Sequence, residues 1–169
     1  MRKNLVLLGM MGVGKTTLGK IVAKKTGLKF IDTDANIEGN CLMRISEIFK
    51  RKGEKFFRLE EKKEVLKSLE ESNSIIALGG GAFINETIRE DVLKNAISIW
   101  LDMSIKTLNE RVKWNQKRPL LKKDGNEKIL KGLYDQRKKI YKLADHKIIC
   151  DKLNKEKLAT KIIALYGKY

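Results

Sequence analysis

The chain has 169 residues, a formal net charge of +16 and two cysteines. That length suits one domain, 1–169, with a core of its own, and Cys41 and Cys150, far apart and in no metal-ligand spacing, exclude a disulfide framework and fit a reducing compartment. The charge points either to nucleic acid or to a small enzyme for anionic substrates; the lysines are spread out rather than gathered or interleaved with aromatics, which favours the enzyme.

In chain order, Asn4 to Leu8 is a short apolar run of strand length. No apolar run reaches the ~18 residues of a membrane span. The start leaves no room for a signal peptide, so the expected location is cytoplasmic, without a membrane partner. Gly9-Met10-Met11-Gly12-Val13-Gly14-Lys15-Thr16 follows and fits G-x-x-x-x-G-K-[ST] without a mismatch. Thr17 to Lys25 then reads as a helix, with Leu18, Ile21 and Val22 at helical spacing. In such a loop the glycines let the backbone curl so that successive N–H groups face phosphate oxygens, and the next helix adds its positive end. Lys15 would reach the β- and γ-phosphates, and Thr16 would offer its hydroxyl to Mg²⁺.

Phe30-Ile31-Asp32 reads as a second strand, with Asp32-Thr33-Asp34 at its carboxyl end. In extended chain the two carboxylates point to one side. One would hold Mg²⁺ through water and the other would take a proton from a substrate hydroxyl; the plainer alternative is a cap on the next helix. Ala35 to Phe49 reads as one or two helices, and Gly53 as punctuation. Glu54 to Leu69 reads as an amphipathic helix burying Phe57, Val65, Leu66 and Leu69. On it Arg58 has Glu54 and Glu61 on its own face, which is either a solvated ion-pair ladder or a means of aiming a guanidinium at a substrate carboxylate.

Ser74 to Leu78 is a third strand, followed by Gly79-Gly80-Gly81. A helix over Asn85–Lys94, a strand over Ala96–Leu101 containing Trp100, and a helix capped by Ser104 and running to about Lys113 come next. Trp114 to Asn126 is polar and holds the only proline, so it reads as a lid; Pro119 forces Arg118 into extended backbone, over the phosphates or merely on the surface. Glu127 to Leu143 is a helix with Arg137 and Tyr141 four apart, the tyrosine a core candidate. His146 reads as structural. Lys147 to Cys150 is a fifth strand, and a last helix covers about Lys155 to Leu165. Apolar strands alternating with helices predict an α/β fold with a parallel sheet and ligands beyond the carboxyl ends of its strands.

The chain lacks the D-x-x-G and N-K-x-D pair of GTPases and the H-R-D and D-F-G of protein kinases. A compact phosphate-loop chain with a short lid suggests phosphoryl transfer to a small molecule. Arginine occurs at only eight positions, so those that keep it are candidates for bidentate recognition.

Taken together, the phosphate loop through Thr17, Asp32-Thr33-Asp34, Ile45-Ser46-Glu47-Ile48-Phe49, Gly53-Glu54, Phe57-Arg58 with Glu60-Glu61, Leu78 to Ala82, Arg118-Pro119-Leu120-Leu121, and Arg137 with Tyr141 resemble the shikimate kinase family over nearly the whole chain. The resemblance implies a three-layer P-loop kinase fold, a five-stranded parallel sheet of order 2-3-1-4-5, substrate-binding helices over about 33–61 and a lid over about 114–126. It implies ATP- and Mg²⁺-dependent phosphorylation of the 3-hydroxyl of shikimate, on the way to chorismate, by a monomer with ATP and shikimate as its partners. By the same resemblance, Gly12, Val13, Gly14, Lys15, Thr16, Thr17, Arg111 and Arg118 would bind ATP, and Thr16 and Asp32 would serve the metal. Asp34, Arg58, Gly79, Gly80, Gly81 and Arg137 would bind shikimate, with Asp34, Lys15 and Arg118 catalytic. The family often has Thr-Gly where Cys41-Leu42 stands, which bears on the local turn, and a proline near Lys152-Leu153-Asn154-Lys155, whose absence here leaves the adenine contacts unassigned. A kinase for another hydroxy acid such as gluconate, and a nucleotide-regulated nucleic-acid-binding protein, are the alternatives.

Overall fold

The structure, a computed structural model, describes residues 3–113 and 126–169, the side chains of 112, 113 and 126 excepted. Five parallel strands, β1 (Asn4–Leu8), β2 (Lys29–Asp32), β3 (Ser74–Ala77), β4 (Ala96–Asp102) and β5 (His146–Ile149), form one sheet in the order β2-β3-β1-β4-β5. Parallel neighbours need crossovers, which the helices provide: α1 (Lys15–Thr26), α2 (Thr33–Cys41), α3 (Ile45–Glu70), α4 (Glu86–Asn95), α5 (Ile105–Lys113), α6 (Asn126–Tyr141) and α7 (Lys155–Tyr166). α1 packs on α7, α3 on α2 and α4, and α5 on α6. The central strands β1, β3 and β4 are buried at every position, as expected of a sheet covered on both faces. The outer strands β2 and β5 are only partly buried, so burial on both faces holds for the middle of the sheet alone.

The predicted elements recur with boundary shifts of a residue or two. Leu78 leaves β3, although its N–H still donates to Leu7 O at 3.0 Å. The fifth strand begins at His146 rather than Lys147, and Cys150 N still donates to Asp102 O at 2.8 Å. Gly53 breaks α3 with φ 82° and ψ 168°, inside what is otherwise one 26-residue helix. Ser104 does cap α5, its hydroxyl accepting from Thr107 N at 3.3 Å. The lid expected over Trp114–Asn126, with Arg118, lies outside the described residues except for Asn126, which begins α6.

Two expectations change. Asp32 is the last residue of β2 and caps α2, whereas Asp34 already lies in the first turn of that helix, so the pair is not extended. The reason is local: the Asp32 side chain accepts from Ala35 N at 3.2 Å, and this cap starts the helix at Thr33. The buried face of α3 is also less apolar than expected. Phe57 and Val65 are buried, Leu66 and Leu69 only half-buried, and Glu61, Glu64 and Ser68 are buried beside them. A small second apolar cluster of Ile37, Ile48 and Phe57 lies between α2 and α3, separate from the main core around the sheet.

Candidate active site

The phosphate loop leaves the central strand β1 and enters α1 at Gly14, whose φ of 106° and ψ of 20° lie in the left-handed region where glycine is at ease. Among the described residues no side chain caps α1 and no acid stands in its first turn. The first N–H groups of this helix therefore face the loop mouth with the positive end of the helix dipole. Lys15 folds back over the loop, its Nζ donating to Gly9 O at 2.9 Å and Met10 O at 3.0 Å, and it is only 9% exposed. The Thr16 hydroxyl donates to Asp32 Oδ2 at 2.6 Å. Asp32 thus caps α2 with Oδ1 and faces the phosphate loop with Oδ2.

Arg111 donates from Nη1 to Val13 O at 3.3 Å and so lies on the outer side of the loop. Beside it opens a cavity of about 870 Å³ bordered by Gly14, Thr17, Ile21, Arg111, Leu153 and Asn154. Leu153 and Asn154 were not assigned from the sequence, since their segment carries no proline. The usable signal was Asn154 itself, which caps α7 by accepting from Lys157 N at 2.9 Å and so brings the turn before that helix to the cavity.

On the other side of the loop the triple glycine runs between two groups of charged side chains. A Cβ on Gly79 would stand 2.5 Å from Asp34 Oδ1 and 3.0 Å from Glu61 Oε1, so only glycine lets the chain pass both carboxylates. Gly80 O accepts from Arg137 Nη1 at 3.2 Å and from the Tyr141 hydroxyl, and a Cβ on Gly80 would lie 3.4 Å from Met11 N. A Cβ on Gly81 would lie 2.7 Å from Arg58 Nη1. Thr33 ties the carboxyl ends of β2 and β3 together: its hydroxyl donates to Ala77 O and accepts from Gly79 N, both at 3.2 Å. Asp34, next in the chain, is carried to the glycines by that bridge.

Arg58 is part of a ladder that is solvated at its Glu54 end and buried at Glu61. Its Nη1 donates to Glu61 Oε2 at 2.7 Å, and its Nε and Nη2 donate to Glu54 Oε1 at 3.3 and 3.2 Å. Burial pushes the Glu61 carboxyl above the usual range; Arg58 pulls it back, Asp34 pushes it up and Arg137 lowers it. Burial opposes the charge on Arg58, but Glu61 and Glu54 outweigh it and hold the guanidinium protonated. The Tyr141 hydroxyl is likewise pushed up by burial.

The structure therefore brings Asp34, Arg58, Gly79, Gly80, Gly81 and Arg137 together at one edge of the loop, with Gly12, Val13, Gly14, Lys15, Thr16, Thr17 and Arg111 in the loop and beyond it. Arg118 lies outside the described residues. Sequence reading missed the burial of Glu61 and the bond from Tyr141 to Gly80. The i to i+4 spacing of Arg137 and Tyr141 put both on one face of α6 but did not say what that face meets.

The shikimate kinase family profile matches residues 11–166. A curated shikimate kinase of Bartonella henselae is 42% identical over 165 residues, covering 98% of this chain and 79% of the relative. One from Sulfurihydrogenibium is 40% identical over 161 residues, covering 95% and 96%. The structure of an Acinetobacter baumannii shikimate kinase in complex with shikimate superposes with a TM-score of 0.94 at 30% identity, covering 99% of this chain and 94% of that one. A gluconokinase of Sinorhizobium meliloti superposes with a TM-score of 0.64 at 13% identity, which shows the shared fold alone. With the family profile spanning nearly all of it, this chain belongs to the shikimate kinase family.

Proposed function

We propose how this chain carries out the reaction of its family, ATP-dependent phosphorylation of the 3-hydroxyl of shikimate. The observation that carries the reading is the convergence of Asp34, Arg58, Arg137 and the Gly79–Gly81 backbone beside the phosphate loop. The open amides of α1 and Lys15 hold the ATP phosphates, with the base in the cavity between Arg111 and Leu153. Arg58 and Arg137 grip the shikimate carboxylate, Arg58 being aimed by Glu54 and Glu61. Asp34 accepts the hydroxyl proton as the oxygen bonds to the γ-phosphorus, whose bond to the bridging oxygen breaks so that ADP leaves. Arg118 is assigned to the phosphates by the family resemblance.

The Thr16 and Asp32 oxygens, 2.6 Å apart at the loop, are hard donors of the type Mg²⁺ takes alongside phosphate oxygens. When bound, the ion supplies positive charge that neutralises the phosphates. The proposed site draws Lys15, Asp34, Arg58 and Arg137 from a single copy of the chain, and we take it to act as a monomer. Cys41 and Cys150 are free thiols, in keeping with a reducing cytoplasm. Among the described residues no helix is long and apolar enough to cross a membrane.

A coupled ADP-release assay with shikimate and, in parallel, gluconate tests the reading. Turnover is expected with shikimate alone. Arg58→Lys and Arg137→Lys, which keep charge but lose the planar fork, should raise KM for shikimate roughly tenfold and KM for ATP much less. Turnover with gluconate, or equal effects on both substrates, would overturn the assignment of the clamp.

A further inference from the structure

The two residues proposed to hold the acceptor, Asp34 and Arg58, sit on different helices, so their spacing depends on how α2 lies against α3. Apolar packing of Ile37 on Ile48 and Phe57 holds the helices together, but such contacts have no direction and leave sliding and rotation open. A directional contact lies elsewhere on the same interface. Glu64, on α3 one turn beyond Glu61, is only 6% exposed. Its Oε1 accepts from Asn36 Nδ2 at 2.6 Å and from the Ser68 hydroxyl at 3.2 Å, and its Oε2 accepts from Asn40 Nδ2 at 3.4 Å. Asn36 and Asn40 lie one turn apart on α2, and Asn36 follows Asp34 by two positions.

A buried carboxylate is costly without partners, and an aliphatic side chain would have filled the same space. A carboxylate taking amide donors from two successive turns of the facing helix fixes both the axial position and the rotation of α2. We infer that Glu64, through Asn36 and Asn40, is a positioning residue that sets the distance between Asp34 and the Arg58–Glu61 pair, and hence the grip on shikimate but not on ATP. The inference rests on the proposed roles of Asp34 and Arg58.

A swap of acid and amide tests it. Asn36→Asp alone places two carboxylates where a 2.6 Å hydrogen bond was. Glu64→Gln alone is tolerated, because the exposed Asn36 amide can turn over and present its oxygen. The double variant restores one donor facing one acceptor. Expected are a rise of about tenfold in KM for shikimate in Asn36→Asp, with KM for ATP changed less than about twofold, and recovery to within about threefold of the parent in the double variant. The milder Asn36→Ala, at an exposed position, should raise KM for shikimate about threefold and serves if Asn36→Asp fails to fold. Melting temperatures are recorded alongside. A brace with no bearing on the site lowers the melting temperature without separating the two KM values. That result, an unchanged KM for shikimate in Asn36→Ala, or no recovery in the double variant, overturns the inference. Asp34→Asn is run in parallel: if it still turns over, the role of Asp34 is wrong, whichever way the Asn36 variants behave.

Discussion

Arg58 reaches Glu61 one turn further along α3 at 2.7 Å, and the two ends of this bond see different solvent, the arginine side chain being 37% exposed and the glutamate 2%. The pair is therefore a buried anion held by a cation at the rim. Removing the cation leaves the anion with Arg137 at a distance and Asp34 against it.

Arg58→Met should consequently destabilise the protein in a pH-dependent way. Burial already raises the Glu61 carboxyl, and losing Arg58 raises it further. A group whose folded pKa lies above its unfolded value gives stability that is present below the unfolded pKa and lost as pH rises through the folded one. The deficit of the variant should thus be small near the ordinary carboxylate pKa of about 4 and grow as the pH is raised to neutral and above. A loss on the order of 2 kcal/mol is expected at the upper end, below the 3–5 of a fully buried pair because Arg58 is partly solvated. Thermal melts of both proteins across that range decide; a constant deficit would mean that Glu61 does not feel Arg58.

Gly79→Ala and Gly132→Ala should act in opposite directions. The new methyl at residue 79 would stand 2.5 Å from Asp34 Oδ1 and must displace it, so kcat/KM for shikimate should fall by roughly a hundredfold, with ATP binding little changed. At residue 132, within α6, the methyl meets nothing within 4 Å, and the helix should gain about 0.5–1 kcal/mol. Steady-state kinetics with each substrate varied, beside denaturant melts, would show whether the two glycines differ as stated.

The two aspartates should separate by metal response. Asp32→Asn keeps the cap on Ala35 N, since asparagine caps as well as aspartate, but removes the charge beside Thr16. Its rate should fall and recover in part as Mg²⁺ is raised. Asp34→Asn should lose roughly a hundredfold or more in kcat at any Mg²⁺ concentration, with nucleotide binding retained. Titrating Mg²⁺ against rate in both variants checks this, and identical curves would refute the division of roles.

Leu42→Gly should stabilise the fold. Leu42 ends α2 with φ 51° and ψ 32°, a left-handed conformation unfavourable for a branched side chain, and it is 91% exposed, so little packing is lost. Relief of that strain, less the entropy glycine gains when unfolded, leaves about 0.5–1 kcal/mol, or a melting temperature higher by about 1–4 °C. A lower melting temperature would mean that the leucine makes contacts that offset its backbone.

The phosphate loop, the alternation of strand and helix and the break at Gly53 were legible in the sequence because each is set within a few residues. Left-handed glycines, short apolar runs and a regular helical period act locally, whatever the rest of the chain does. The proposed arginine clamp rests on residues that the sequence offered as candidates only, since Arg58 in a run of charges reads equally well as a surface ladder.

What tertiary structure alone decided is where the charges go. Glu61 and Glu64 look like solvent-facing residues on a lysine-rich helix, yet α2 and the glycine strand end cover them, and partners distant in sequence keep them there: Asp34 and Gly79 beside one, Asn36 and Asn40 on the other. The start of α2 at Thr33 turned the expected extended aspartate pair into a cap and a first-turn acid, one at the phosphate loop and the other beside Gly79. Residue type sets what a carboxylate can do, but its burial and its partners depend on which elements the sheet brings side by side, and that is a property of long-range packing rather than of any local stretch of chain.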